Sequence, residues 1–229
     1  MAALPPILLA GLTGCISGLV SAIPVGPVNL ALMNEGARRG FKRAALIGLG
    51  AVCMEAAYCF IAFSGLATFL TNGHVRTAME LFTFIFILCL GLKFLLAKSP
   101  DVAAPLGVTV NKIEKRIEER LHPRSAFMIG FVRVLGNLGV LVFWVVLAAH
   151  FMAREWVTPD WPGKLACVTG VALGLSVWFF ALSYAASRGH GKFSDRTLLR
   201  LEHWSGVGLL VLALAQGGHL VWQIARHRW

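Results

Sequence analysis

Residues 6–33 read PILLAGLTGCISGLVSAIPVGPVNLALM, a run of twenty-eight residues without a single charge, broken in character only by Pro24, Gly26 and Pro27. A helix needs about 20 apolar residues to cross the hydrocarbon core of a bilayer, so this run is long enough to span it. Met1 to Pro6 carry no Lys or Arg, so the basic n-region of a signal peptide is missing and the run is expected to remain as a span. Two prolines inside one apolar run have a direct physical consequence. Each removes a backbone N–H and blocks the bond to the carbonyl four residues earlier, so the helix must kink or unwind between Ile23 and Asn29, freeing the carbonyls of Val20 and Ile23.

Outward from this stretch the rest of the chain has the same character. Of 229 residues, 57% are hydrophobic and 14% charged, and the mean hydropathy is +0.72, against roughly 45–50% apolar and 25% charged in soluble domains. Apolar run length places spans at 6–33, 44–70, 77–97, 125–151, 165–186 and 204–225. Only helices and closed barrels satisfy their backbone in lipid, and these continuous runs lack the alternation of barrel strands. The predicted fold class is an all-α integral membrane protein of six transmembrane helices, arranged as two inverted three-helix repeats with span 1 broken at Pro24 to Pro27. The divisions are 1–97 for the first repeat, 98–124 for a connector and 125–229 for the second repeat.

Charge sets the expected orientation. Of the 21 Lys and Arg residues, fourteen fall in three connections: Arg38, Arg39, Lys42 and Arg43; then Lys98, Lys112, Lys115, Arg116, Arg120 and Arg124; then Arg188, Lys192, Arg196 and Arg200. The alternate connections and the C-terminus hold only Arg76, Arg154, Lys164, Arg226 and Arg228. Positive residues near span ends favour the cytoplasm, which puts both termini outside a multi-pass bacterial inner membrane. This topology also accounts for the net charge of +10, so no nucleic-acid partner is expected. In the connector, Val110, Ile113, Ile117 and Leu121 recur at helical spacing among charged residues, as in a short amphipathic helix.

Polar residues inside spans are the candidate site. The segment restarting at Pro27 or Val28 offers unpaired N–H groups and a positive dipole end, suited to a carboxylate, beside Gly26 and Asn29. Span 4 carries a second, milder interruption at Gly136-Asn137-Leu138-Gly139, and similar interruptions in spans 1 and 4 point to a site between halves. Glu55 lies twelfth in the run from Ala44, too deep to reach an interface and expensive there unless protonated or paired. Its helical face, Gly48, Ala51, Tyr58, Cys59 and Ala62, is small and weakly polar, as expected of a side turned toward the bundle. Proton coupling or recognition of an ammonium group is one reading of Glu55, and a structural hydrogen bond the other. Arg133 and Asn137, four apart, share a face with Gly130 and Trp144. Arg133 is placed to pair with Glu55, to hold a carboxylate or to snorkel to the interface.

Other chemistry finds little footing. The five cysteines sit in apolar runs without zinc-ligand spacing, the seven histidines are scattered mostly at span ends, and Gly189 to Ser194 lacks the P-loop pattern. No metal site, cofactor or nucleotide motor is expected. Ser176 and Ser183 have no His close in sequence, so an intramembrane hydrolase is not the expected reading.

With these residues in view the chain resembles the LysE/RhtB family of amino-acid exporters over nearly its whole length. The marker is Pro24-Val25-Gly26-Pro27, similar to that family's Pro-Gly-Pro signature, followed by Gly36-Ala37-Arg38-Arg39-Gly40-Phe41 and by Gly48 to Glu55. Phe131 to Asn137, Trp178-Phe179 with Tyr184, and Trp204-Ser205-Gly206 agree in the second half. Where the family usually has Asn-Pro-Lys, this chain has Asn137-Leu138-Gly139. The resemblance implies a secondary transporter, not an enzyme, exporting amino-acid-like small solutes across the lipid bilayer with proton coupling. Pro24, Gly26, Pro27, Asn29, Glu55, Arg133 and Asn137 would form the substrate site. An exporter of metal ions or other inorganic solutes on the same fold, or a transport-inactive membrane protein, are the alternatives, and a homo-oligomer is left open.

Overall fold

The structure, a computed structural model, describes residues 5–24, 26–66 and 125–188, with scattered helical positions within 81–96 and 199–218. Its elements are α1 (Pro6–Ala22), α2 (Pro27–Arg39), α3 (Phe41–Leu66), α4 (Ala126–Gly136), α5 (Leu138–Ala153) and α6 (Trp161–Arg188). Among the described residues there is no strand. Helices α3 and α6 are each long and apolar enough to cross a membrane, and the bent pairs α1–α2 and α4–α5 bring the number of such spans to as many as four. The predicted connector helix over 98–124 and most of the predicted spans at 77–97 and 204–225 lie outside the described residues.

Run length located the helices but not their ends. α2 continues to Arg39, beyond the apolar run that closes at Met33, because Glu35 meets Arg39 at 3.7 Å and Arg43 at 2.8 Å and so supports a polar final turn. Gly40, at φ 81°, then reverses the chain directly into α3, a backbone conformation that glycine adopts without penalty. At the far end of the bundle Asp160 caps α6 by accepting from the Gly163 N–H at 3.2 Å.

Backbone contact fixes how the helices lie. α1 packs most extensively on α6, with Gly14 against the Cys167 carbonyl, Gly18 against Val171, Gly170 against Gly11 and Gly174 against Cys15, so the two run in the same direction. A Cβ at any of these four positions would fall onto backbone atoms, which is the close approach that small residues permit between membrane helices. The same device joins α3 to α4: Gly130 meets the backbone of Ile47 and Ala51, Gly50 meets that of Phe127, and Tyr58 reaches Leu135 further along, again in the same direction. α3 runs antiparallel to α6, since Gly48 lies against Phe179 while Phe60 stacks on Trp161 at 5.8 Å. Between the partly described segments, Gly91 approaches Leu210 and Gly217 approaches Phe84. The core between these helices includes Leu32, Phe63, Trp144, Val171 and Leu175, all fully buried.

Candidate functional site

The first break falls where the prolines place it. α1 ends at Ala22, α2 restarts with Pro27 in its first turn, and the two are bent by 72°. Proline is tolerated at that position because its missing N–H would have no intrahelical partner. Gly26, the extended residue before α2, has no side chain with which to cap this end, and the backbone N–H groups of Val28 and Asn29 have no helical acceptor. Among the described residues, a Cβ added to Gly26 would meet nothing within 4 Å. Among those residues the glycine borders open space beside these donors and is not used for helix packing.

One of the two carbonyls expected to be freed keeps a partner. The Ile23 N–H folds back to the Val20 carbonyl at 3.4 Å, tightening the last turn of α1, so Val20 keeps a partner. The carbonyls met by a side chain are those of Ala22 and Pro24, which accept from Asn29 Nδ2 at 2.9 and 2.8 Å. Asn29 Oδ1 accepts in turn from Trp178 Nε1 of α6 at 3.4 Å. With 4% of its surface exposed, Asn29 is the internal splint of the broken span.

The second break is as sharp as the first, at 68° between α4 and α5, although it contains no proline. Asn137 makes it. Its backbone leaves the helix at φ −92° and ψ 83°, its N–H goes to the Val134 carbonyl at 2.9 Å, and its Oδ1 accepts from the Gly139 N–H at 3.1 Å. A short amide side chain that competes for nearby backbone groups ends one helix and begins another without a ring clash. The expectation of a milder interruption is corrected on this geometry. The Leu135 carbonyl, in the last turn of α4, accepts from Tyr58 Oη of α3 at 2.7 Å.

Arg133 ties the second half to the first break. Its Nη1 donates to the Pro27 carbonyl at 2.7 Å, across from α4 to the first turn of α2. It thus reaches into the bundle, not out to the interface. Glu55 Oε2 accepts from Trp144 Nε1 of α5 at 3.4 Å, and the ion pairs among the described residues are both made by Glu35, so the pairing of Arg133 with Glu55 offered by the sequence does not form. Glu55 is half-buried on a face whose other members, Gly48, Ala51, Tyr58, Cys59 and Ala62, are all buried.

The structure gathers the sequence candidates into two places. Pro24, Gly26, Pro27, Asn29 and Arg133 meet at the first break, while Glu55 lies beside Trp144, one turn from the Tyr58 that meets Leu135 in the last turn before the second break. Three residues to which sequence reasoning gave no hydrogen-bonding role complete this network: Tyr58, Trp144 and Trp178. Their signal was an aromatic ring with a polar tip in the interior of an apolar run, where such a tip needs a partner.

A family model described as LysE type translocator matches residues 19–217. The chain is 28% identical over 202 residues to the Bacillus subtilis protein named "Putative amino acid efflux protein YcgF", covering 88% of this chain and 92% of that one. It is 27% identical over 208 residues to the Pseudomonas aeruginosa "Chemotactic transduction protein ChpE", covering 89% and 94%. No solved structure matches it.

Proposed function

The chain belongs to the LysE type translocator family, and from that premise we propose that it is a proton-coupled secondary transporter exporting amino acids or similar small solutes from the cytoplasm. The observation that carries this reading is that each helix break is bound by side chains from the opposite half of the chain: Arg133 and Trp178 at the first, Tyr58 at the second. Movement of one half against the other must then remake these bonds, which is what alternating access requires. In this reading the substrate carboxylate lies beside Gly26 against the N–H groups of α2, near Arg133. Glu55 carries the proton or meets the ammonium group, Pro24 and Pro27 keep the helix broken, and Asn29 and Asn137 hold the two breaks in shape.

The architecture proposed with it is six spans in two inverted three-helix repeats, divided at 97 and 125. Three relations support it: α1–α2 and α4–α5 are both broken, α3 and α6 are both continuous, and the glycine contacts of α1 with α6 match those of α3 with α4. The charge asymmetry of the connections and the bacterial relatives favour a multi-pass inner-membrane protein with both termini outside.

A second reading, a membrane partner in signalling that does not transport, is favoured by the likeness to ChpE and by Leu138-Gly139 in place of the family's usual Pro-Lys. Growth of cells expressing the chain, challenged with toxic amounts of amino acids, amino-acid analogues and metal salts, separates the readings. Protection against an amino-acid-like solute is expected. Protection only against a metal salt would replace the substrate class, and no protection with the protein present in the membrane would favour the signalling role.

A further inference from the structure

One end of the bundle combines an exposed apolar stripe with an excess of positive charge. On α6, Val177, Phe180, Tyr184 and Arg188 recur every three or four residues on one helical face and are all exposed. Arg188 stands over the Tyr184 ring at 5.0 Å, and the Phe180 ring lies 6.3 Å from that of Phe41, the first residue of α3. Because Gly36 packs on Ala186 and on Ala44, the turn between α2 and α3 is level with the end of α6. That turn adds Arg38, Arg39, Lys42 and Arg43, of which Arg39 and Arg43 share the carboxylate of Glu35.

A soluble anion would use only the cations, and a neutral lipid only the stripe. From Val177 to Arg188 the helix rises about 16 Å, at 1.5 Å per residue, so an apolar chain and an anionic head can be met together by one face. The cation–π contact holds the guanidinium at the end of that face, where a headgroup would sit. We infer that the face formed by the start of α3 and the end of α6, which carries Lys42 and Arg188, seats an anionic phospholipid, its phosphate on the cations and an acyl chain along Phe180 and Val177 against Phe41.

The test uses the full chain purified in detergent, with native mass spectrometry and thermal unfolding in the presence of phosphatidylglycerol, phosphatidylcholine of the same acyl chains, or glycerol phosphate. Each basic residue near a lipid surface contributes about 1 kcal/mol, roughly five-fold in binding. Phosphatidylglycerol is therefore expected to be retained at least roughly five-fold better than phosphatidylcholine and to raise the melting temperature, with glycerol phosphate inert. K42Q and R188Q should each erode that preference, while R154Q, at the opposite end of the bundle, should leave it intact. Both residues are exposed, and lipid-free melting serves as the folding control. Equal retention of the two phospholipids, an unchanged preference in both variants, or equal stabilisation by glycerol phosphate would overturn the assignment.

Discussion

Arg133 donates from Nη1 to the carbonyl oxygen of Pro27 at 2.7 Å, so a cation from the helix leading into the second break holds the first turn after the first break. The two interruptions are therefore one mechanical unit, although 106 residues separate the paired groups. A hydrogen bond from a charged donor contributes about 1.5–3 kcal/mol. Replacing Arg133 with Gln should lower the rate of solute efflux by ten-fold or more in reconstituted vesicles and, because the bond is present in this structure, lower the melting temperature by several degrees. Arg133→Lys should recover part of the rate, since an ammonium keeps the charge but not the planar donor geometry.

Asn29 offers a sharper test of how the first break is held. Asn29→Asp preserves size and the acceptor for Trp178 but removes both donors, leaving the Ala22 and Pro24 carbonyls without that partner. Each buried carbonyl so orphaned costs about 1–3 kcal/mol, so the variant should unfold several degrees below the parent in detergent. Unchanged melting would mean that the amide is not the splint described here.

Glycines with different surroundings should respond differently. Gly130→Ala drives a methyl into the backbone of Ile47 and Ala51 and should cost about 1–3 kcal/mol or prevent accumulation of folded protein. Gly26→Ala meets nothing within 4 Å among the described residues and should fold normally. If the open space beside Gly26 receives the substrate, that same methyl should weaken apparent substrate affinity, which a concentration series of efflux would report.

How much of this was legible in the sequence depended on whether the cause was local. The breaks follow from Pro24, Pro27 and Asn137, residues that act on their own backbone, so their positions could be read directly. The sharpness of the second break is not legible, because it contains no proline and reaches 68° through the capping bonds of Asn137. The four-residue rule frees the Val20 carbonyl, but it takes no account of the tightened last turn of α1, and it does not show that Asn29 returns to Ala22 and Pro24. The polar tips of Tyr58, Trp144 and Trp178 signal that each needs a partner, but which partner each meets depends on the register between helices distant in the chain. Run length measured lipid thickness and so missed the polar final turn of α2.

One titration lies outside the spans. Thr158, the Gly163 N–H and Lys164 together hold the Asp160 carboxyl below the ordinary carboxylate range, the Thr158 hydrogen bond most strongly. A depressed pKa in the folded state contributes stability above the unfolded value and loses it as pH falls through the folded one. The melting temperature of the parent should therefore decline as the medium is taken below about pH 4, the ordinary aspartate pKa. Asp160→Asn, which cannot titrate, should show a shallower decline over that window.

The central claim is that Glu55, held by Trp144 within the bundle, couples export to protons. Its direct measurement is efflux of labelled solute from loaded proteoliposomes with and without an acidic exterior, comparing the parent with Glu55→Gln, which keeps the shape and an acceptor for the indole N–H. The account predicts that external acid accelerates efflux by the parent and that the variant, folded by the same melting criterion, loses the acceleration. Acceleration of equal size in the variant would contradict it.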